Sequence, residues 1–395
     1  MFPLVKELKT FQDGLYDLAK NLKYKRVNNN FQSKLQKDIK NIRSEKRVLV
    51  SADKTGNHYW TEKENYVKHL HNTITKDYEK VNDDVIDTIK HDDKKVAADL
   101  EIDDRLYCTS KRDCFITLKD HKKQFHNNPK FRLINPGKPE IGMVSKKMLS
   151  NIVSQVKIKS QLVQWKNSDS VVEWFQNLKD KKRLTFIQFD VVDFYGSISQ
   201  ELLQKSLDFA SKYVKISEKE KRAIMQACNS FLCSSNSTWI KKSGGTFDIT
   251  MGGFHGAEVC DIVGLFLLSQ LAEVLPKEFI GLYRDDGMAA TAARPRQAEI
   301  LKKKICQIFS KNNLKITIDA NLKVANFLDI TLDLEREIFR PYIKDNHTPL
   351  YVDSESNHPS LVLKNIPLGI NRRLSKISAN KEVFDSASPL IRMHL

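Results

Sequence analysis

Two aspartates in a row, Asp285 and Asp286, stand between apolar residues in the stretch FIGLYRDDGMAA, residues 279–290. Adjacent carboxylates repel, so keeping them together costs stability unless a cation or a shared proton offsets the charge. A third carboxylate comes from LTFIQFDVVDFYGSIS, where an apolar run ends in Asp190 and is followed by Asp193 and Tyr195. An acid at the end of a core strand, set against a hairpin that bears two more, supplies the hard oxygen ligands that magnesium takes. Two such ions about 3.5–4 Å apart activate an attacking hydroxyl and stabilise a leaving oxygen, the shared logic of polymerases and nucleases. A plainer reading competes. Asp-Gly between apolar runs is a hairpin signal, and a carboxylate in a turn needs no metal.

The elements that would position these acids are visible as texture. CFITLKD, FRLINP, LTFIQFDVV and FIGLY are short apolar runs bounded by turn residues, as buried strands are. SISQELLQKSLDFASKYV lies between them, with Ser199 as N-cap and Leu203, Leu207, Ala210 and Val214 on one apolar face. The first hundred or so residues are polar and lysine-rich, with two helical patterns separated by VLVSADKTGNHYW, which predicts a strand pair around a Lys-Thr-Gly-Asn turn. Lysine and arginine total 65 against 49 acidic residues, a net charge of +16 over 395 residues, so a polyanion such as nucleic acid is the expected partner. The longest apolar stretch, IVGLFLLSQLAEVLP, is broken by Ser269, Gln270 and Glu273 before the roughly 20 residues a membrane span needs, so no membrane partner is expected. Six cysteines without paired C-x-x-C spacing predict reduced thiols in an intracellular protein and argue against a zinc site.

FDVVDFYGSI and YRDDG resemble the two acidic motifs of reverse transcriptases, in order and at a separation of 95 residues from Asp190 to Asp285. TMGGFHGAEVC occupies the place of that family's glycine-rich motif, with Gly253 and Gly256 aligned, although Ala257-Glu258 replaces the usual Ser-Pro. CFITLKDHKKQFHNNPKFRLINPGKPEIG resembles the fingers hairpin, and NLKVANFLDITLDL the lysine-bearing loop and primer-grip hairpin. The resemblance runs from about Cys108 to Tyr342 and is nearest to reverse transcriptases of animal retroelements, Penelope-like or non-LTR.

It implies an α+β right-hand polymerase fold: fingers, an antiparallel palm sheet backed by helices, and a partial helical thumb. The expected divisions are a helical, lysine-rich extension over 1–105, fingers and palm over 106–345, and a thumb from 346 that stops early at 395. The implied activity is RNA-directed DNA synthesis on an RNA template and DNA primer, from dNTPs, with two magnesium ions for which manganese can substitute. Asp190, Asp285 and the Val191 carbonyl would hold the metals, with Asp286 in support. Lys119 and Arg132 would clamp the triphosphate, Lys122 and Lys123 being rivals of Lys119. Tyr195 would lie under the sugar and exclude a 2′-hydroxyl, with Gly253 and Gly256 lining the nucleotide site and His255 placed to contact template or water. Lys323 would protonate pyrophosphate, with Lys315 its rival, and Arg372, Arg373 and Lys376 would meet a phosphate backbone. Two alternatives stand beside this. One is a polymerase-derived RNA- or DNA-binding protein without catalysis, and the other an RNA-templated RNA polymerase.

Overall fold

Along TFIQFDV, residues 185–191, side chains alternate between two faces, as a strand requires. Phe186, Gln188 and Asp190 take one face, and Ile187, Phe189 and Val191 the other; both faces are covered, so only the polar end of the first escapes burial. The computed structural model describes residues 6–21, 30–44, 46–54, 56–103, 112–120, 122, 125, 127–137, 140–343 and 358–392. Cys108, the expected division at 105/106, Lys123, and the expected start of the thumb at 346–357 lie outside the described residues.

In chain order the elements begin with α1 (Lys6–Asn21), α2 (Asn30–Ser44), β1 (Arg47–Ser51), β2 (His58–Glu62), α3 (Lys63–Asp77), β3 (Tyr78–Val81) and α4 (Asp84–Asp99). Next come β4 (Phe115–Leu118), β5 (Phe131–Ile134), α5 (Glu140–Ser160), α6 (Ser168–Asn177), β6 (Thr185–Val191), α7 (Phe194–Ser197), α8 (Gln200–Ser211) and α9 (Glu218–Ala227). After β7 (Leu232–Ser234) and β8 (Ser237–Lys241) follow α10 (Gly256–Leu271), β9 (Ile280–Tyr283), β10 (Asp286–Thr291), α11 (Pro295–Lys311) and β11 (Ile316–Leu322). The last are β12 (Val324–Phe327), β13 (Ile330–Asp333), β14 (Ile338–Pro341), α12 (Ser360–Lys376) and α13 (Lys381–Arg392).

The central sheet has the order β11-β6-β10-β9, all antiparallel. On one face Ile187, Phe189 and Val191 join Leu203 and Leu207 of α8, Ile262 and Leu265 of α10 and Phe309 of α11 in the main core. On the other, Phe186 and Met288 pack with Trp165, Trp174, Phe175, Phe327 and Leu332. Each such fully buried side chain stabilises the fold by about 1.5–3 kcal/mol. The apolar stretch of the sequence is α10, whose Val259, Ile262, Val263, Leu265, Leu267 and Leu268 are buried in the main core. Among the described residues no helix is long and apolar enough to cross a membrane. Ser199 caps α8 as expected, its hydroxyl accepting from the Leu202 N–H at 3.1 Å.

Gly287 in β10 lies opposite Phe189 in β6. A Cβ there would stand 2.1 Å from the Phe189 ring, so the strand can approach only as glycine.

The polar N-terminal region does not divide where composition changes. One compact unit comprises residues 1–48 and 60–63; the other comprises 49–59 and 64–395. Leu70 and Ile74, four apart on one face of α3, bury against Cys114, Ile116 and Leu232. β3 pairs antiparallel with β8 and completes a three-stranded sheet. α3 from Glu64 onward and β3 are therefore structural parts of the larger unit. Cys114, Cys228, Cys233 and Cys260 are buried free thiols.

Candidate active site

The β9–β10 hairpin sets the acids. Asp286 pairs with Tyr283, which leaves Arg284 and Asp285 as a two-residue turn. Arg284 has φ +54°, a region that side chains other than glycine and asparagine seldom occupy. The expected Asp-Gly turn is thus displaced: Gly287 is a strand residue, present for Phe189 and not for the turn. Across the sheet Asp286 stands opposite Asp190, and the Val191 N–H donates to the Asp285 carbonyl at 2.9 Å. Backbone register alone therefore gathers Asp190, Asp285 and Asp286 at one end of the sheet.

Burial, and then the charge of Asp285, push the Asp190 carboxyl above its ordinary value. Lys122 and Lys54 pull it back, as does a hydrogen bond shared with Asp286. Among the described residues no three His, Cys, Asp or Glu side chains gather closely enough to cage a metal by themselves. The oxygen-only donor set still suits magnesium, which takes one or two carboxylates and completes its shell with substrate phosphates and water.

Tyr195 follows on α7, reached through Asp193 at φ +49°. Its ring lies against Gly256, where a Cβ would stand 3.2 Å from it. Burial is the main cause that raises its phenol well above the ordinary value, with Cys260, Asp261 and Asp285 adding to it. Gly256 thus shapes the tyrosine's seat. Gly253 meets nothing closer than the Thr250 carbonyl at 3.5 Å, whereas its neighbour Gly252 has φ +111° and a Cβ there would stand 2.3 Å from the Asn135 carbonyl. The Asn135 N–H also donates to the Met251 carbonyl at 2.9 Å, so Gly252, unmarked by the motif comparison, is where the glycine-rich loop touches the fingers strand. His255 does not face template or water. It is buried between Cys228 and Gly142, 3.6 Å from the Cys228 sulfur, and burial lowers its pKa to about 4, so it is a neutral core residue.

The fingers hairpin β4–β5 pairs Thr117 with Arg132. Lys119 follows β4, half-buried, and burial followed by the adjacent Arg132 charge lowers its pKa. Arg132 Nη1 donates to Asp53 Oδ1 at 2.7 Å, a partner from the β1–β2 turn that sequence reasoning missed. Lys323 is misplaced as a proton donor. Its Nζ donates to the carbonyls of Lys182 and Leu184, both at 2.8 Å, before the start of β6 and six residues from Asp190, about 20 Å along the strand. Lys315 is at the right end, exposed, its carbonyl accepting from the Val192 N–H at 2.8 Å. Arg373 and Lys376 are engaged too. Arg373 forks onto one oxygen of Asp329 at 2.5 and 3.0 Å, and Lys376 reaches Asp169 at 2.6 Å, so both fasten α12 to the palm while Arg372 stays exposed.

No family model and no curated protein matches the sequence. Among solved structures the chain is similar to apo telomerase from Candida tropicalis, at 11% identity and TM-score 0.54, covering 85% of this chain and 66% of that one. It is similar to telomerase from Candida albicans in complex with a TWJ fragment of telomeric RNA, at 10% identity and TM-score 0.57, covering 83% and 56%. A deletion mutant of the RNA-dependent RNA polymerase of a human picobirnavirus gives 10% identity and TM-score 0.50, covering 93% and 82%. The chain thus spans less than two thirds of the length of the telomerases. At these identities the likeness is one of fold, and the α+β fold is that of the palm and fingers of RNA-dependent polymerases.

Proposed function

We propose that the chain is a retroelement reverse transcriptase, adding deoxynucleotides to a DNA primer on an RNA template. The observation that carries this is the juxtaposition of Asp190, Asp285 and Asp286 by strand register at one end of the sheet. The primer 3′-oxygen would bond to the α-phosphorus as the bond to pyrophosphate breaks. Asp190, Asp285 and the Val191 carbonyl would hold two magnesium or manganese ions, with Asp286 in support from its position opposite Asp190 on the neighbouring strand. Bound there, the ions would acidify the primer hydroxyl and offset charge on the leaving oxygen. Arg132 and Lys119 would neutralise the triphosphate, and Lys315, in place of Lys323, would protonate pyrophosphate. Tyr195, seated on Gly256, would fill the space of a 2′-hydroxyl.

A non-catalytic nucleic-acid-binding protein is the second reading, favoured by the net charge of +16, which binds a polyanion without calling on the three aspartates. Extension of a DNA primer on an RNA template, with magnesium and either dNTPs or rNTPs, separates the possibilities. Extension from dNTPs alone, lost in Asp285→Asn, supports reverse transcription. Extension from rNTPs overturns the sugar assignment, and binding without extension in both proteins supports the second reading.

A further inference from the structure

The β1–β2 turn belongs to none of the motifs that carry the polymerase resemblance, yet it docks on the fingers hairpin. Ala52 forms a parallel bridge with Leu118 at the end of β4, and the Asp53 N–H donates to the Leu118 carbonyl at 2.9 Å. This sets the Asp53 carboxylate against Arg132, with side chains only 5% and 28% exposed respectively. A second tie fixes the far side of the turn: Asn57 Nδ2 and the Tyr59 hydroxyl both donate to Asp120 Oδ2, at 3.1 and 3.0 Å. Asp120 directly follows Lys119, so the turn holds Arg132 itself and the residue next to Lys119.

The Asp53 contact occupies one donor of a guanidinium that has five and restrains the side chain that carries the rest. An arginine held in this way meets phosphate oxygens without losing side-chain freedom at the moment of binding. Lys54, the residue that follows the docked Asp53, is exposed. The turn therefore sets an exposed cation one residue from the Asp53–Arg132 pair.

We propose that this turn is a third wall of the nucleotide site, in which Asp53 is a positioning residue that aims Arg132 at the incoming triphosphate and Lys54 adds its own charge to that triphosphate. The assignment rests on the polymerase reading for its substrate, but the phosphate site can be tested apart from turnover. Magnesium tripolyphosphate binding to the full chain, and steady-state dNTP kinetics, would be compared for the native protein, Lys54→Ala, Asp53→Asn, Asp53→Glu and the charge-matched control Lys303→Ala. Lys54→Ala and Asp53→Asn are expected to weaken tripolyphosphate binding by about five- to tenfold. KM for dNTP should rise in proportion with kcat little changed, Asp53→Glu should recover part of the loss, and primer–template affinity and the Lys303→Ala control should not move. Lys54 is exposed, so its truncation does not threaten folding. Tripolyphosphate affinity that is absent in the native chain, or unchanged in Lys54→Ala and Asp53→Asn, overturns the proposal. Lys54- and Asp53-dependent binding in a chain that never extends a primer would keep this site and remove the polymerase reading.

Discussion

The acidic centre and the basic groups around it are built by different means. Asp190, Asp285 and Asp286 are placed by main-chain register on adjacent antiparallel strands, where short side chains leave little to decide. The cations are long and flexible, and each is placed by a partner far away in sequence. Arg132 meets Asp53 across 79 residues, Arg373 meets Asp329 across 44 and Lys376 meets Asp169 across 207. Positions of carboxylates at strand ends can be inferred from local pattern. The work of a lysine or arginine depends on which acid reaches it first.

Substitutions can break this contrast. The largest effect is expected for Asp285→Asn, which keeps the turn but removes the charge; extension rate should fall on the order of 10²–10³-fold, measured by single-turnover extension. Gly252→Ala should follow, because φ +111° and the Asn135 carbonyl at 2.3 Å leave no room for the methyl group. A loss of about 3 kcal/mol in urea unfolding is expected, near the upper end for overpacking. His255 sharpens the comparison from the core side. Its folded pKa of about 4 lies below the unfolded 6.5, so its contribution is fully present above pH 6.5 and is lost as pH falls toward 4. Between pH 7.5 and 5 it should account for about 2 kcal/mol of lost stability, absent from His255→Phe in paired urea titrations. Smallest are the exposed pairs: Arg373→Ala should cost about 0–1 kcal/mol. Lys323→Met should likewise cost about 1 kcal/mol by loss of its carbonyl contacts while leaving the extension rate constant unchanged, and a hundredfold slowing would restore Lys323 to the chemistry.

The same contrast explains what was legible. The apolar run of LTFIQFDVV exposed the central strand and its terminal acid, and the Ser199 cap followed from a residue type that can accept an N–H bond. The Lys-Thr-Gly-Asn turn was visible as a hairpin, but its docking beside Leu118 is a tertiary event with no local signature. Gly252 and Gly253 are the same letter; only the φ angle and the Asn135 carbonyl tell them apart. His255 looked polar and available in a loop-like motif, yet it sits at the entry to α10 and packs inward against Cys228 and Gly142. Lys315 and Lys323 bracket one strand, and β11–β6 register, which pairs Thr317 with Asp190 and Leu322 with Phe186, decides which end each serves.

Gly287 does more than admit a neighbour's ring. A slip of β10 by one residue against β6 would place Asp286 or Met288 opposite Phe189, and each brings a Cβ into space the ring already fills. The notch and the ring work as a key that fits one alignment. Because the ring lies on the opposite face from Asp190, the spacing of the carboxylates is proofread from behind the sheet, by a contact that never meets substrate.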